Sequence, residues 1–150
     1  MTKSILIDTN TLVYSCDSGE QVRQEMAILL LQQLAMSDRG RLSAQILAEF
    51  VNVTIKGKSP ILTRSEALIQ ATRLTQTFPI FDLTYPIVLE AARACRDFSL
   101  AYYNAQIWAC AKINQIPIIF SEDFQDGQNL ENVHFVNPFA ETFELEKWIQ

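Results

Sequence analysis

The sequence predicts an α/β protein built on a parallel β-sheet covered by helices on both faces. Three observations point there. Strand-like runs alternate with helical patterns along most of the chain. The runs Ile5-Leu6-Ile7 and 116–120 are apolar at every position, as strands buried on both faces are. Glycine (4) and proline (5) are scarce in 150 residues, so the connections are short. This length is most simply one domain, 1–150, able to bury a core without disulfides or a structural metal.

Taken in order, Ile5-Leu6-Ile7 reads as a strand ending at the polar group Asp8-Thr9-Asn10-Thr11, with a short helix over 11–16. A longer helix is expected over 20–37, carrying Met26, Ile28, Leu29, Leu30, Leu31 and Leu34 and stopped by the turn Asp38-Arg39-Gly40. Residues 41–43 form a short strand, and 44–55 a helix closed by Lys56-Gly57-Lys58-Ser59-Pro60. Thr63 and Glu66 have capping-box spacing and start a helix that reaches residue 77. A strand over 80–83, helices over 85–97 and 104–114, and a strand over 117–120 follow. A polar loop, 123–127, and a last strand, His134-Phe135-Val136, complete the chain. No internal repeat, low-complexity segment or linker interrupts it.

A net charge of −5 argues against a protein that coats nucleic acid, while allowing one that grips a few nucleotides locally. Cys16, Cys95 and Cys110 are odd in number and scattered, which fits reduced thiols in a cytoplasmic protein and offers no zinc spacing. The sole histidine, His134, lies in strand-like Val133-His134-Phe135-Val136, where a structural role is expected. Met1-Thr2-Lys3 leads straight into a strand rather than a signal-peptide core, and no apolar run approaches the ~20 residues of a membrane span. A cytoplasmic location without membrane contact is the expectation.

Four polar side chains interrupt this apolar pattern. Asp8 ends the first strand, Asp123 follows the run 116–120, Glu49 sits within Ile46-Leu47-Ala48-Phe50-Val51, and Asn104 opens the apolar stretch 105–111. In parallel sheets the ligand crevice lies beyond the carboxyl ends of the strands, where strand order reverses. Asp8 and Asp123 share that crevice if their strands are neighbours there. Each residue alone has a plainer reading. Asp8 and Asp123 suit caps or turns, and Asn104 in Tyr102-Tyr103-Asn104-Ala105 is read foremost as a helix N-cap. Glu49 falls about 40° outside the arc of Ile46, Phe50, Val51, Val53 and Thr54, at the border of a core face. Buried carboxylates are rarely left unpaired, so together they suit a hard cation, Mg²⁺ or Mn²⁺, that keeps waters and takes ligands from a substrate phosphate. Such an ion activates water toward a phosphodiester, with Thr9, Asn10 or Ser121 orienting a ligand.

The segments Leu6-Ile7-Asp8-Thr9-Asn10, Ala48-Glu49-Phe50, Tyr103-Asn104-Ala105-Gln106-Ile107 and Phe120-Ser121-Glu122-Asp123-Phe124-Gln125-Asp126-Gly127 resemble, in that order, the four acidic motifs of PIN domains. The likeness is strongest to VapC-like toxins of type II toxin–antitoxin systems and covers nearly the whole chain. It implies a Rossmann-like, PIN-like parallel sheet and a metal-dependent endoribonuclease using Mg²⁺ or Mn²⁺, often on structured RNA such as tRNA. It also implies a homodimer and a cognate antitoxin. Asp8, Glu49 and Asp123 fall on the family's acidic positions as metal ligands and, with Asn104, as the catalytic set; Asp126 is a weaker candidate.

Asn104 stands where the family has an aspartate. Its amide oxygen can ligate a cation but brings no charge, which predicts weaker metal binding and slower turnover. A second reading follows: a catalytically impaired or silent PIN-fold module that binds RNA or a partner protein. A haloacid-dehalogenase-like phosphatase fits less well, because Asn10 stands where its general acid would be, and a two-component receiver lacks its lysine after Phe120. Of the basic residues, Lys56 and Lys58 are the better candidates for RNA phosphates, since their loop follows the helix that carries Glu49.

Overall fold

The computed structural model describes residues 3–150; Met1 and Thr2, read above as leading directly into the first strand, lie outside the described residues. Among the described residues six strands form one sheet: β1 (Ile5–Ile7), β2 (Gly40–Ser43), β3 (Ile80–Phe81), β4 (Ile118–Phe120), β5 (Asn129–Leu130) and β6 (Val133–Val136). The described residues also form seven helices: α1 (Thr9–Cys16), α2 (Gln21–Met36), α3 (Ala44–Ile55), α4 (Arg64–Thr77), α5 (Tyr85–Phe98), α6 (Tyr102–Ile113) and α7 (Glu146–Ile149).

Strand order is β3-β2-β1-β4-β6-β5, parallel throughout except for β5, which runs antiparallel to β6 at one edge. The predicted α/β architecture is therefore present. Successive residues of a strand face opposite sides of the sheet, and Ile5, Leu6 and Ile7 are all fully buried, so β1 is covered on both faces. The chain leaves β1 toward β2 and β3, and later enters β4 on the other side of β1. The strand order reverses at the β1–β4 pair, where Ile7 stands opposite Phe120 and the Asp8 N–H donates to the Phe120 carbonyl at 3.0 Å.

Local chemistry explains the helices that reach this point. Ser43 caps α3 by accepting the Ile46 N–H at 3.1 Å, and Ile46, Phe50 and Thr54 then point into the core. The capping box expected at Thr63 and Glu66 is formed at the start of α4. Helix α2 buries Ala27, Leu30 and Leu34, whereas Met26, Ile28 and Leu29 are exposed. Ile28 to Leu31, four leucine and isoleucine residues in a row, exceed the width of one buried stripe, so some must face out.

Several boundaries differ from the sequence reading. Helix α1 begins at Thr9, because Asp8 is itself the cap. The strand expected over 80–83 stops at Phe81. Asn104 is not a helix cap: α6 starts two residues earlier, with Ala101 at the cap position, which places Asn104 in the first turn. Strand β5 was not foreseen; its hairpin to β6 turns through Glu131 (φ 49°) and Asn132 (φ 72°) without the glycine that ordinarily advertises such a turn. The short α7 was also missed. It is held by Trp148, whose ring packs edge-on against Phe120 and His134 and whose carbonyl accepts from the buried Arg39.

Candidate metal centre

The reversal of strand order sets two acidic segments side by side. Asp8 follows β1 directly and is 1% exposed. Its Oδ1 accepts the Thr9 N–H at 2.7 Å, and its Oδ2 accepts the Ser121 hydroxyl at 2.6 Å. Ser121, just past β4, also accepts the Asp123 N–H at 3.0 Å. One hydroxyl thus ties the Asp8 carboxylate to the start of the loop carrying Asp123. The Asp123 carboxylate is exposed and takes a bond from the Asn10 amide at 3.3 Å.

Glu49 approaches from α3. It is half-buried at the border of the helix's core face, and its Oε2 accepts the Thr9 hydroxyl at 3.0 Å. Thr9 therefore touches Asp8 through its N–H and Glu49 through its side chain. Burial pushes the Asp8 carboxyl from its ordinary 3.8 up to about 6; the Ser121 and Thr9 bonds pull it down, and the charges of Asp123 and Glu49 push it up further. That mutual influence places the three carboxylates in one electrostatic neighbourhood.

None of the three has a cationic partner among the described residues, whose ion pairs all lie elsewhere. Nor, among those residues, do three histidine, cysteine, aspartate or glutamate side chains converge tightly enough to enclose a metal ion. The donor set fits a small hard cation held by one or two carboxylates and completed by water and substrate oxygens, as Mg²⁺ is commonly bound, and does not fit an all-protein cage. Oxygen donors without thiol or imidazole also disfavour zinc.

Asn104 is half-buried in the first turn of α6, near Tyr103, whose carbonyl accepts from Gln45 on α3. Its side chain takes no part in the hydrogen bonds around Asp8, Glu49 and Asp123. Asp126 does not join the carboxylates: its Oδ1 accepts the Asn137 N–H at 2.9 Å and so braces the loop that ends at Gly127 (φ 82°). Lys56 and Lys58 are exposed beyond the end of α3 opposite its Ser43 cap, so Lys56 lies ~10 Å farther along the helix than Glu49.

The structure also recruits residues the sequence reading passed over. Gln45 donates to Glu49 Oε1 at 2.7 Å, and the buried Gln106 donates to Gln45 at 2.9 Å. Gln45 lies four positions before Glu49, on the same helical face, and Gln106 is an amide within an apolar helical run; both signals were readable. Beside Asp123, Glu122 accepts the Tyr14 hydroxyl at 2.7 Å and pairs with Arg23, which pins the loop to α1 and α2.

Solved structures with this fold include VapBC2 from Rickettsia felis bound to a DNA fragment of its promoter, at 13% identity and TM-score 0.63, covering 87% of this chain and 96% of that one. VapC20 of Mycobacterium tuberculosis, described as a sarcin–ricin loop cleaving toxin, is similar at 17% identity and TM-score 0.63, covering 80% and 90%. A toxin–antitoxin complex from Klebsiella pneumoniae is similar at 17% identity and TM-score 0.59, covering 91% and 98%. At these identities the likeness speaks for the fold alone. No curated protein sequence matches the chain. The family model for the PIN domain matches residues 5–126, a span that includes Asp8, Glu49, Asn104 and Asp123, and the chain belongs to the PIN domain family.

Proposed function

We propose that residues 1–150 act as one PIN-like unit, a metal-dependent endoribonuclease of the VapC-like toxin type. The observation that carries this reading is the group of three carboxylates, Asp8, Glu49 and Asp123, gathered at the reversal of strand order with no cationic partner among the described residues. Asp8, Glu49 and Asp123 would hold Mg²⁺ or Mn²⁺, and Asn104 would offer a neutral amide oxygen. Such an ion, when bound, supplies Lewis acidity to a phosphodiester and activates water. The chain's own residues do the positioning: Ser121 and Thr9 fix the Asp8 carboxylate, and Asn10 orients Asp123. Lys56 and Lys58 would meet RNA phosphates distal to the cut.

The similar toxin–antitoxin complexes support a cognate antitoxin as partner. A groove of about 510 Å³ between α1, α2 and α4, lined by Cys16, Ile28, Leu31, Leu62 and Leu74, suits an apolar segment of such a partner. A homodimer in the cytoplasm, acting on structured RNA such as tRNA, completes the reading. Among the described residues no helix is long and apolar enough to cross a membrane.

One observation favours a second reading, a silent PIN-fold module that binds RNA or protein: Asn104 occupies an acidic position of the family and brings no charge. Cleavage of a structured RNA with Mg²⁺, with Mn²⁺ and with chelator decides between them, comparing the chain with Asn104→Asp and Asp8→Asn. Asn104→Asp should raise the rate at least tenfold, about 1.4 kcal/mol in the barrier, and Asp8→Asn should abolish it. No cleavage by either the chain or Asn104→Asp sinks the nuclease reading. Equal rates in those two refute the claim that the missing charge matters.

A further inference from the structure

We infer that Gln45 and Gln106 are positioning residues that hold the Glu49 carboxylate in place through a one-way chain of hydrogen bonds. This rests on the reading of Glu49 as part of a cation site. The Tyr102 hydroxyl donates to Gln106 Oε1 at 2.8 Å, Gln106 Nε2 donates to Gln45 Oε1 at 2.9 Å, and Gln45 Nε2 donates to Glu49 Oε1 at 2.7 Å.

The direction of this chain is fixed by chemistry. Gln45 Nε2 also donates to the Tyr103 carbonyl at 3.0 Å. A carboxylate and a carbonyl can only accept, so the NH₂ end of the Gln45 amide must face them both. Its oxygen is then turned on Gln106, which must donate, leaving the Gln106 oxygen for Tyr102. With Thr9 donating to Oε2, both carboxylate oxygens of Glu49 are held by neutral donors. The side chain is immobilised and its negative charge is left uncompensated, which is what a cation site requires.

Two features separate this from ordinary helix packing. Gln106 is only 4% exposed within the apolar run Ala105–Ala111 of α6, where an unbonded amide costs stability and an apolar residue would pack more simply. The chain also joins α3 to the first turn of α6, the turn that bears Asn104, so Glu49 and Asn104 are set relative to each other by the same bonds.

The test is Mn²⁺ binding by the full chain, measured by calorimetry for the starting protein, Gln45→Met, Gln106→Met, the double variant and Asp8→Asn. Methionine keeps volume and adds no charge, so electrostatics alone predicts no change, and Gln45 is half-buried and tolerant of replacement. Gln45→Met should weaken Mn²⁺ about tenfold, the scale on which outer hydrogen-bond partners tune metal sites. Gln106→Met should weaken it less, and should have no further effect once Gln45 is gone, because it acts only through Gln45. Unchanged affinity in Gln45→Met, or fully additive losses in the double variant, would overturn the inference while Asp8→Asn still loses binding. If Asp8→Asn binds as well as the starting protein, or if neither the chain nor Asn104→Asp binds Mn²⁺, the cation-site reading fails and takes the inference with it.

Discussion

Asp8→Asn should make the metal-free protein more stable at neutral pH, although it removes a residue at the centre of the proposed site. The magnitude follows from the carboxyl's environment. Burial raises Asp8 from 3.8 to about 6 in the folded protein. Folded chains therefore hold the Asp8 proton over a pH range in which unfolded chains have released it. Between 3.8 and about 6 the folded state binds more protons, so stability falls as pH rises through that window and stays reduced above it. The loss amounts to about 3 kcal/mol, and Asp8 is too well buried for solvent to screen much of it.

Asparagine never ionises, so it escapes this loss. Altered bonds to Thr9 and Ser121 add an offset, but one independent of pH. Urea unfolding in chelator from about pH 4 to pH 8 separates the two. Over that range the stability of Asp8→Asn minus that of the starting protein should grow by about 2.4 kcal/mol, most of the full loss. A difference that stays flat across the range would refute the view that Asp8 is held under electrostatic strain. Saturating Mg²⁺ should shrink the difference, since an ion that binds only the folded chain stabilises the carboxylate form.

Three further outcomes are expected. Gly40→Ala places a Cβ 2.5 Å from the Phe78 ring and 3.1 Å from Ile7, and should cost about 1–3 kcal/mol in chemical denaturation; an unchanged midpoint contradicts that packing. Thr63→Ala breaks the capping box of α4 and should cost about 1 kcal/mol, whereas Thr63→Ser should cost much less by the same measurement. Burial pushes the Cys110 thiol up to about 11, so at neutral pH it should resist iodoacetamide in the native protein and react once urea exposes it. Peptide mass spectrometry reads the difference, and rapid native labelling of Cys110 speaks against its burial.

The architecture was legible because β1 and β4 are short unbroken apolar runs bounded by polar residues and alternate with longer helical patterns, as strands of a sheet covered on both faces do. Asp8 and Asp123 were legible as neighbours only through the rule about reversed strand order, and the Ile7–Phe120 register makes them so. Asn104 was misread as a cap because asparagine is as good a cap as any; nothing local says that Ala101, without a capping side chain, starts the helix instead. Gln45 could be read four positions before Glu49, but its contact with Gln106 spans 61 positions between two helices, and no spacing rule foretells that contact. The closing segment was unreadable for a similar reason. Four residues are too few to sustain a helix alone, and α7 is fixed by Trp148 against the sheet and the Arg39 guanidinium.

The sheet is bounded by its two smallest strands, β3 and β5, each only two residues long. A strand of that length offers an incoming chain very few free backbone groups, too few to nucleate growth of a foreign ladder. The wholly apolar strands that would be hazardous at a margin, β1 and β4, lie in the interior of the sheet. A chain accumulating to high concentration is thereby guarded against aggregating edge to edge.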